Sequence, residues 1–156
     1  MKRTVLILLF AAMSLLQAEE NAAKVVYDLT TKDLAKFERN ILSAIVVNKA
    51  HYGNSLKELD VTVVIHGGAY RFFTKDPAHS IYKDDTILMK SYKDLAKRIG
   101  SMVEHYDVEF LMCGVGMRKN KLEAKDVYNF VKIIPNSTIG LIDRQNSGYA
   151  YIPVGD

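Results

Sequence analysis

A three-layer α/β/α domain with a mainly parallel five-stranded sheet is predicted from three features of the sequence. Short β-branched runs alternate with segments of helical period, the run Leu59 to His66 is apolar on both faces, and Leu88, Tyr92, Leu95, Ile99, Met102 and Tyr106 recur at helical spacing. A strand apolar on both faces belongs in a parallel sheet covered from each side. The recurrence by steps of three and four is that of an amphipathic helix, and alternation of the two element types is the pattern of α/β folds.

The chain opens with Lys2 and Arg3, followed by an apolar run from Val5 to Leu16 that ends at Gln17-Ala18. That is the grammar of a secretory signal peptide, predicted as residues 1–18 with cleavage after Ala18. The run is shorter than the roughly 20 residues that span a bilayer, and Glu19-Glu20-Asn21 follows at once, which argues against the rival reading of an uncleaved anchor. Residues 19–156 are then a single mature domain, periplasmic or secreted, with no stable membrane insertion after cleavage.

Within it, Lys24 to Leu29 reads as the first strand, ended by Thr30-Thr31-Lys32-Asp33, where Thr30 and Asp33 have the spacing of a capping box. Leu34, Phe37, Ile41, Ile45 and Asn48 predict a helix to about His51, and Gly53-Asn54-Ser55 a turn. The second strand, Leu59 to His66, closes on Gly67-Gly68 and is followed by the aromatic cluster Tyr70, Phe72 and Phe73. Asp76 to Asp85 reads as the longest loop, with Asp85 or Thr86 as N-cap of the next helix. Val108 to Cys113 is the third strand, running into Gly114-Val115-Gly116-Met117 as a turn or helix start. A short helix over Asp126 to Phe130, a fourth strand Val131 to Ile134, a helix or turn Ser137 to Gln145 and a fifth strand Tyr149 to Val154 complete the prediction.

Composition narrows the function classes. Hydrophobic residues make up 49% of the chain, which is globular and not disordered. The net charge of +3 includes Lys2 and Arg3; without them 19 basic residues face 18 acidic ones, so there is no electrostatic footprint for nucleic acid. Cys113 is the only cysteine. An internal disulfide is impossible, and a single cysteine in an exported chain is an intermolecular bridge, a thiol with a task, or a buried inert hydrophobe.

Parallel sheets bind ligands beyond the carboxyl ends of their strands. Those ends are Asp28 to Thr30, His66 to Gly68, Cys113 to Gly116, and Asn136-Ser137. Cys113 therefore stands where sites form, and a helix beginning after Gly114 would lower its pKa through its N-terminal amides. His66 at the neighbouring strand end is a candidate base or imidazolium partner for the thiol, or a packing residue. Arg118 and Lys119 add positive charge nearby or form a solvated loop. Gly114-Val115-Gly116 is too short for a dinucleotide fingerprint, and no cofactor is expected. Cys113 with Met117 and His66 offers a soft donor set for Cu(I) as a minor alternative.

The runs VVIHGGAYRFF (Val63 to Phe73), MCGVGM (Met112 to Met117) and GLIDRQNSGYAYIPV (Gly140 to Val154) resemble the DsrE/DsrF-like, or YchN-like, family. The resemblance spans nearly all of the mature chain and implies a small α/β/α fold, homo-oligomerisation, and a persulfide-carrying cysteine just after the third strand, a position that Cys113 matches. Together with the leader and the strand-end reading of His66, it leads to the expectation of an exported sulfur-handling protein with Cys113 as nucleophile and carrier and His66 as proton partner. The well-known relay members are cytoplasmic, so the leader here implies a different sulfur donor and acceptor. The alternatives are a non-catalytic periplasmic binding protein for a small ligand or soft metal, or an oligomeric assembly subunit.

Overall fold

The computed structural model describes residues 22–156; the expected signal peptide, 1–18, lies outside the described residues. Five strands, β1 (Ala23–Leu29), β2 (Leu59–Ile65), β3 (Val108–Cys113), β4 (Lys132–Ile134) and β5 (Ala150–Val154), form one sheet in the order β4-β3-β2-β1-β5. All four pairings are parallel. The expected sheet is thus present and wholly parallel. Pro153, which has no amide hydrogen to give a ladder, is accommodated because β5 is an edge strand.

The first helix, α1, is continuous but not uniform. It runs through Leu34–Phe37, a π-helical stretch Glu38–Ser43, and Ala44–Asn54. Its N-cap is Asp33, whose carboxylate accepts the Lys36 amide at 2.9 Å, and Thr31 in turn accepts the Asp33 amide at 3.0 Å. The capping-box pairing of Thr30 with Asp33 is corrected accordingly: Thr30 instead bonds to Val154 of β5. Helix α2 (Thr86–Glu104) is capped by Asp85, which accepts the Leu88 amide at 3.0 Å.

A short α3 (Gly114–Lys119) follows β3 without a break, and α4 (Ser137–Asn146) follows β4. The helix expected over Asp126 to Phe130 does not form. A single 3₁₀ turn, Ala124–Asp126, closes there on reciprocal bonds between Glu123 and Asp126, and Thr74 bridges to Val127.

The helices are divided unequally between the two faces. Phe37, Ile41 and Ile45 of α1, Leu88, Leu95, Ile99 and Met102 of α2, and Met117 of α3 share one large core with Val61, Val63, Phe110 and Met112 of the sheet. Phe37 stacks on Phe72 with ring centroids 4.5 Å apart. The opposite face carries a small cluster of Val26, Val64, Leu111 and Tyr149, covered by α4 through Leu141. This asymmetry follows from right-handed crossovers: moving from β1 to β4 in one direction lays the connecting helices on one face, and the return from β4 to β5 lays α4 on the other.

Toward the amino ends of the strands, α4 is fastened by a polar network. Glu109 of β3 accepts from Lys132 at 2.7 Å, from Thr62 at 3.2 Å and from Arg144 of α4, while Arg144 reaches Tyr149 at 3.3 Å and Tyr149 donates to Asp60. Burial pushes the Glu109 carboxyl up, but Lys132, Arg144 and Thr62 outweigh it and hold it below its ordinary value. A carboxyl lowered in the folded state contributes stability above its unfolded pKa of about 4.3 and loses it as pH falls through the folded value. Thermal unfolding across pH 2–7 is therefore expected to show a steeper acid-side loss in the wild type than in Glu109→Gln. Identical slopes would remove Glu109 from that role.

Candidate functional site

Cys113 lies at the point where the fold divides. After β3 the chain turns into α3 on the crowded face; after the adjacent β4 it turns into α4 on the other. Neighbouring strands whose following helices leave in opposite directions open a crevice at their carboxyl ends, the topological switch point where α/β sheets bind ligands. Cys113, the last residue of β3 and N-cap of α3, stands at that crevice with Ile134 of β4 as its register partner.

The thiol is 6% exposed, yet it is not surrounded by apolar groups alone. Burial pushes its pKa up, but the Gly116 amide, the Tyr70 hydroxyl and the Ser137 amide and hydroxyl beside it lower it by more, and the net direction is down. Gly116 belongs to the first turn of α3, and Ser137 is the first residue of α4. Asn136 caps α4 by accepting the Ile139 amide at 2.9 Å, which leaves the Ser137 amide for the sulfur. A thiolate is favoured by charge-matched donors of this kind.

Tyr70 is the buried member of this cradle. Its hydroxyl donates to the Cys113 carbonyl at 2.8 Å, and the ring is 1% exposed. Burial and the neighbouring Cys113 both raise the phenol far above its ordinary value, so it stays a neutral donor. Gly116 makes this approach possible, because a Cβ there would overlap the Tyr70 hydroxyl. Neither Tyr70 nor Ser137 was predicted in this role. The signal for Tyr70 was available in the requirement that a buried tyrosine hydroxyl find a partner; Ser137 stood among the strand-end residues without an assigned function.

His66 is placed differently from expectation. The last β2–β3 register pair is Ile65 with Met112, so the next residues on the two strands are His66 and Cys113. The imidazole, however, turns toward β1, where its Nε2 lies 2.5 Å from Asp28 Oδ1, and it is not among the groups that act on the thiol. Tyr151 of β5 donates to the other Asp28 oxygen at 2.6 Å. Gly67 has a φ of +61°, and a Cβ there would come within 3.0 Å of the Thr30 carbonyl, so the turn that follows His66 calls for glycine.

Of the remaining predicted residues, Arg118 comes near, its Nη1 3.7 Å from the position a Gly114 Cβ would take. Met117, the other soft donor, is packed into the large core at 3% exposure. Among the described residues no group of three or more His, Cys, Asp or Glu is arranged to hold a metal ion, and no helix is long and apolar enough to cross a membrane.

A wholly parallel α/β/α sheet with one hydrogen-bonded cysteine at its switch point defines a small thiol protein. Residues 24–154 match the DsrE/DsrF-like family, and the chain belongs to it. Membership implies a sulfur-relay-related role in general terms. An uncharacterized protein of Aquifex aeolicus (strain VF5) is 30% identical over 105 residues, 63% of this chain and 46% of that protein, so the chain spans about half the length of this curated relative. The solved structure of a protein of unknown function, MTH1491 from Methanobacterium thermoautotrophicum, has a TM-score of 0.59 at 18% identity. The match covers 84% of this chain and 98% of that one, and it is a likeness of fold.

Proposed function

We propose that this protein is an exported sulfur carrier in which Cys113 accepts a sulfane sulfur and holds it as a persulfide for transfer. The observation that carries the reading is the gathering of the Gly116 amide and the Ser137 amide and hydroxyl about one thiol at the switch-point crevice, with the Tyr70 hydroxyl held beside it on the Cys113 carbonyl. A thiolate is the nucleophilic form of cysteine, and the donors that favour it also suit the negative charge of a bound persulfide, held without reorganisation. His66, at the neighbouring strand end, serves as proton partner to the sulfur donor and not to the thiol itself. The expected leader supports a location in the periplasm or outside the cell, and on this reading the donor and acceptor are those of that compartment. Self-association is in keeping with the exposed Ile139 and Ile142 on α4.

Intact-mass measurement after exposure to polysulfide or thiosulfate tests the reading. The wild type is expected to gain one sulfur that a reducing thiol removes, and Cys113→Ser to gain none. An unchanged wild-type mass, or equal gain by the variant, would contradict it.

A further inference from the structure

The arrangement at the β1, β2 and β5 ends is a chain of three side chains. Tyr151 donates to Asp28 Oδ2 at 2.6 Å, and Asp28 Oδ1 holds His66 Nε2 at 2.5 Å. With one carboxylate oxygen already accepting from Tyr151, the Asp28 carboxylate is an acceptor toward the imidazole as well, so Nε2 carries a hydrogen and Nδ1 is the nitrogen left for exchange. The Asp28 side chain is 15% exposed and that of His66 is 28% exposed, against 6% for Cys113. The imidazole thus stands at the rim, beside the strand end that bears the thiol.

Cys113 has no need of this histidine to ionise, since the Gly116 amide, the Ser137 amide and hydroxyl and the nearby Tyr70 hydroxyl already favour its thiolate. What remains without a proton source is the other half of the sulfur donor. When the thiolate attacks the outer sulfur of a persulfide R–S–SH, a bond forms between Cys113 Sγ and that sulfur, the S–S bond of the donor breaks, and R–S⁻ leaves with the electron pair. A thiolate leaves faster as its basicity falls, so a proton delivered as the bond breaks assists it. An imidazolium at His66 gives that proton: thiolate, imidazolium and R–S–SH become the Cys113 persulfide, neutral imidazole and R–SH, with no net oxidation. In thiosulfate the leaving group is sulfite, less basic than a thiolate and able to depart without the proton.

We propose that Asp28 and Tyr151 are positioning residues that hold His66 as the proton donor to a departing thiolate, which makes persulfides of thiols the preferred sulfur donors of this protein. The proposal rests on the carrier reading. Its test is the rate of sulfur loading, read by intact mass, from glutathione persulfide and from thiosulfate, in the wild type, His66→Gln, Asp28→Asn and Tyr151→Phe. Positioned proton transfer is worth about 10²–10⁴-fold. His66→Gln is expected to lose at least the lower end of that range with the persulfide and several-fold less with thiosulfate, with Asp28→Asn and Tyr151→Phe following the same donor-selective pattern to a smaller degree. A merely structural role would lower both rates together. Equal losses with the two donors, or an unchanged persulfide rate in His66→Gln, would overturn the proposal. If Asp28→Asn fails to fold, His66→Gln and Tyr151→Phe decide it. A wild type that loads from neither donor would instead overturn the carrier reading on which it rests.

Discussion

Gly116→Ala is expected to destabilise the domain by about 1–3 kcal/mol, the usual cost of overpacking a filled interior, and to raise the pH at which Cys113 becomes reactive. The added methyl group falls on the Tyr70 hydroxyl. That side chain has little room to retreat, because it is 1% exposed and fixed by its bond to the Cys113 carbonyl. The first turn of α3 must shift instead, and it takes the Gly116 amide away from the sulfur. Denaturant unfolding reads the first effect and alkylation rate against pH the second. Wild-type stability with a wild-type alkylation profile would show that the close packing of Gly116 on Tyr70 is not needed.

Tyr70→Phe keeps the ring and removes one oxygen, yet it is expected to cost about 1–3 kcal/mol, because the Cys113 carbonyl is left in a buried place without its donor. The same change removes the hydroxyl dipole that lowers the thiol's pKa, so its ionisation midpoint should rise while the far-ultraviolet circular dichroism remains that of the wild type. Comparison with Phe72, whose ring stacks on Phe37 and has no polar atom to satisfy, shows why the two aromatic neighbours play different parts. A Tyr70→Phe protein as stable and as reactive as the wild type would assign the hydroxyl no part in the site.

Much of the fold was legible because its strands carry their signal locally. Val61, Val63, Val64 and Ile65 are apolar on both faces and announce a central parallel strand, and the steps of α2 place Leu88, Leu95, Ile99 and Met102 on one buried stripe. Cys113 could be placed at a strand end from its own neighbours. What the sequence did not disclose depends on long-range pairing. Tyr151 meets Asp28 only because β5 returns to lie beside β1, 123 residues away in the chain, and that strand order has no local signature. His66 follows β2 beside the end of β3, but its side chain turns to Asp28, a competing partner that appears only when β1 and β2 are aligned. The helix expected at Asp126 gave way to a 3₁₀ turn for a different reason. There the side chains of Glu123 and Asp126 satisfy each other's backbone amides over a single turn, and such local bonds compete with helix propagation.

The central claim is that Cys113 is a reachable thiol held partly ionised by the donors around it, and the rate of iodoacetamide alkylation of the folded protein as a function of pH tests it most directly. A titration centred below the free-cysteine value of about 8.5, absent in Cys113→Ser, is the expected result. Labelling that requires denaturation, or a midpoint above the free value, would contradict the account and leave Cys113 a packing residue at the end of β3.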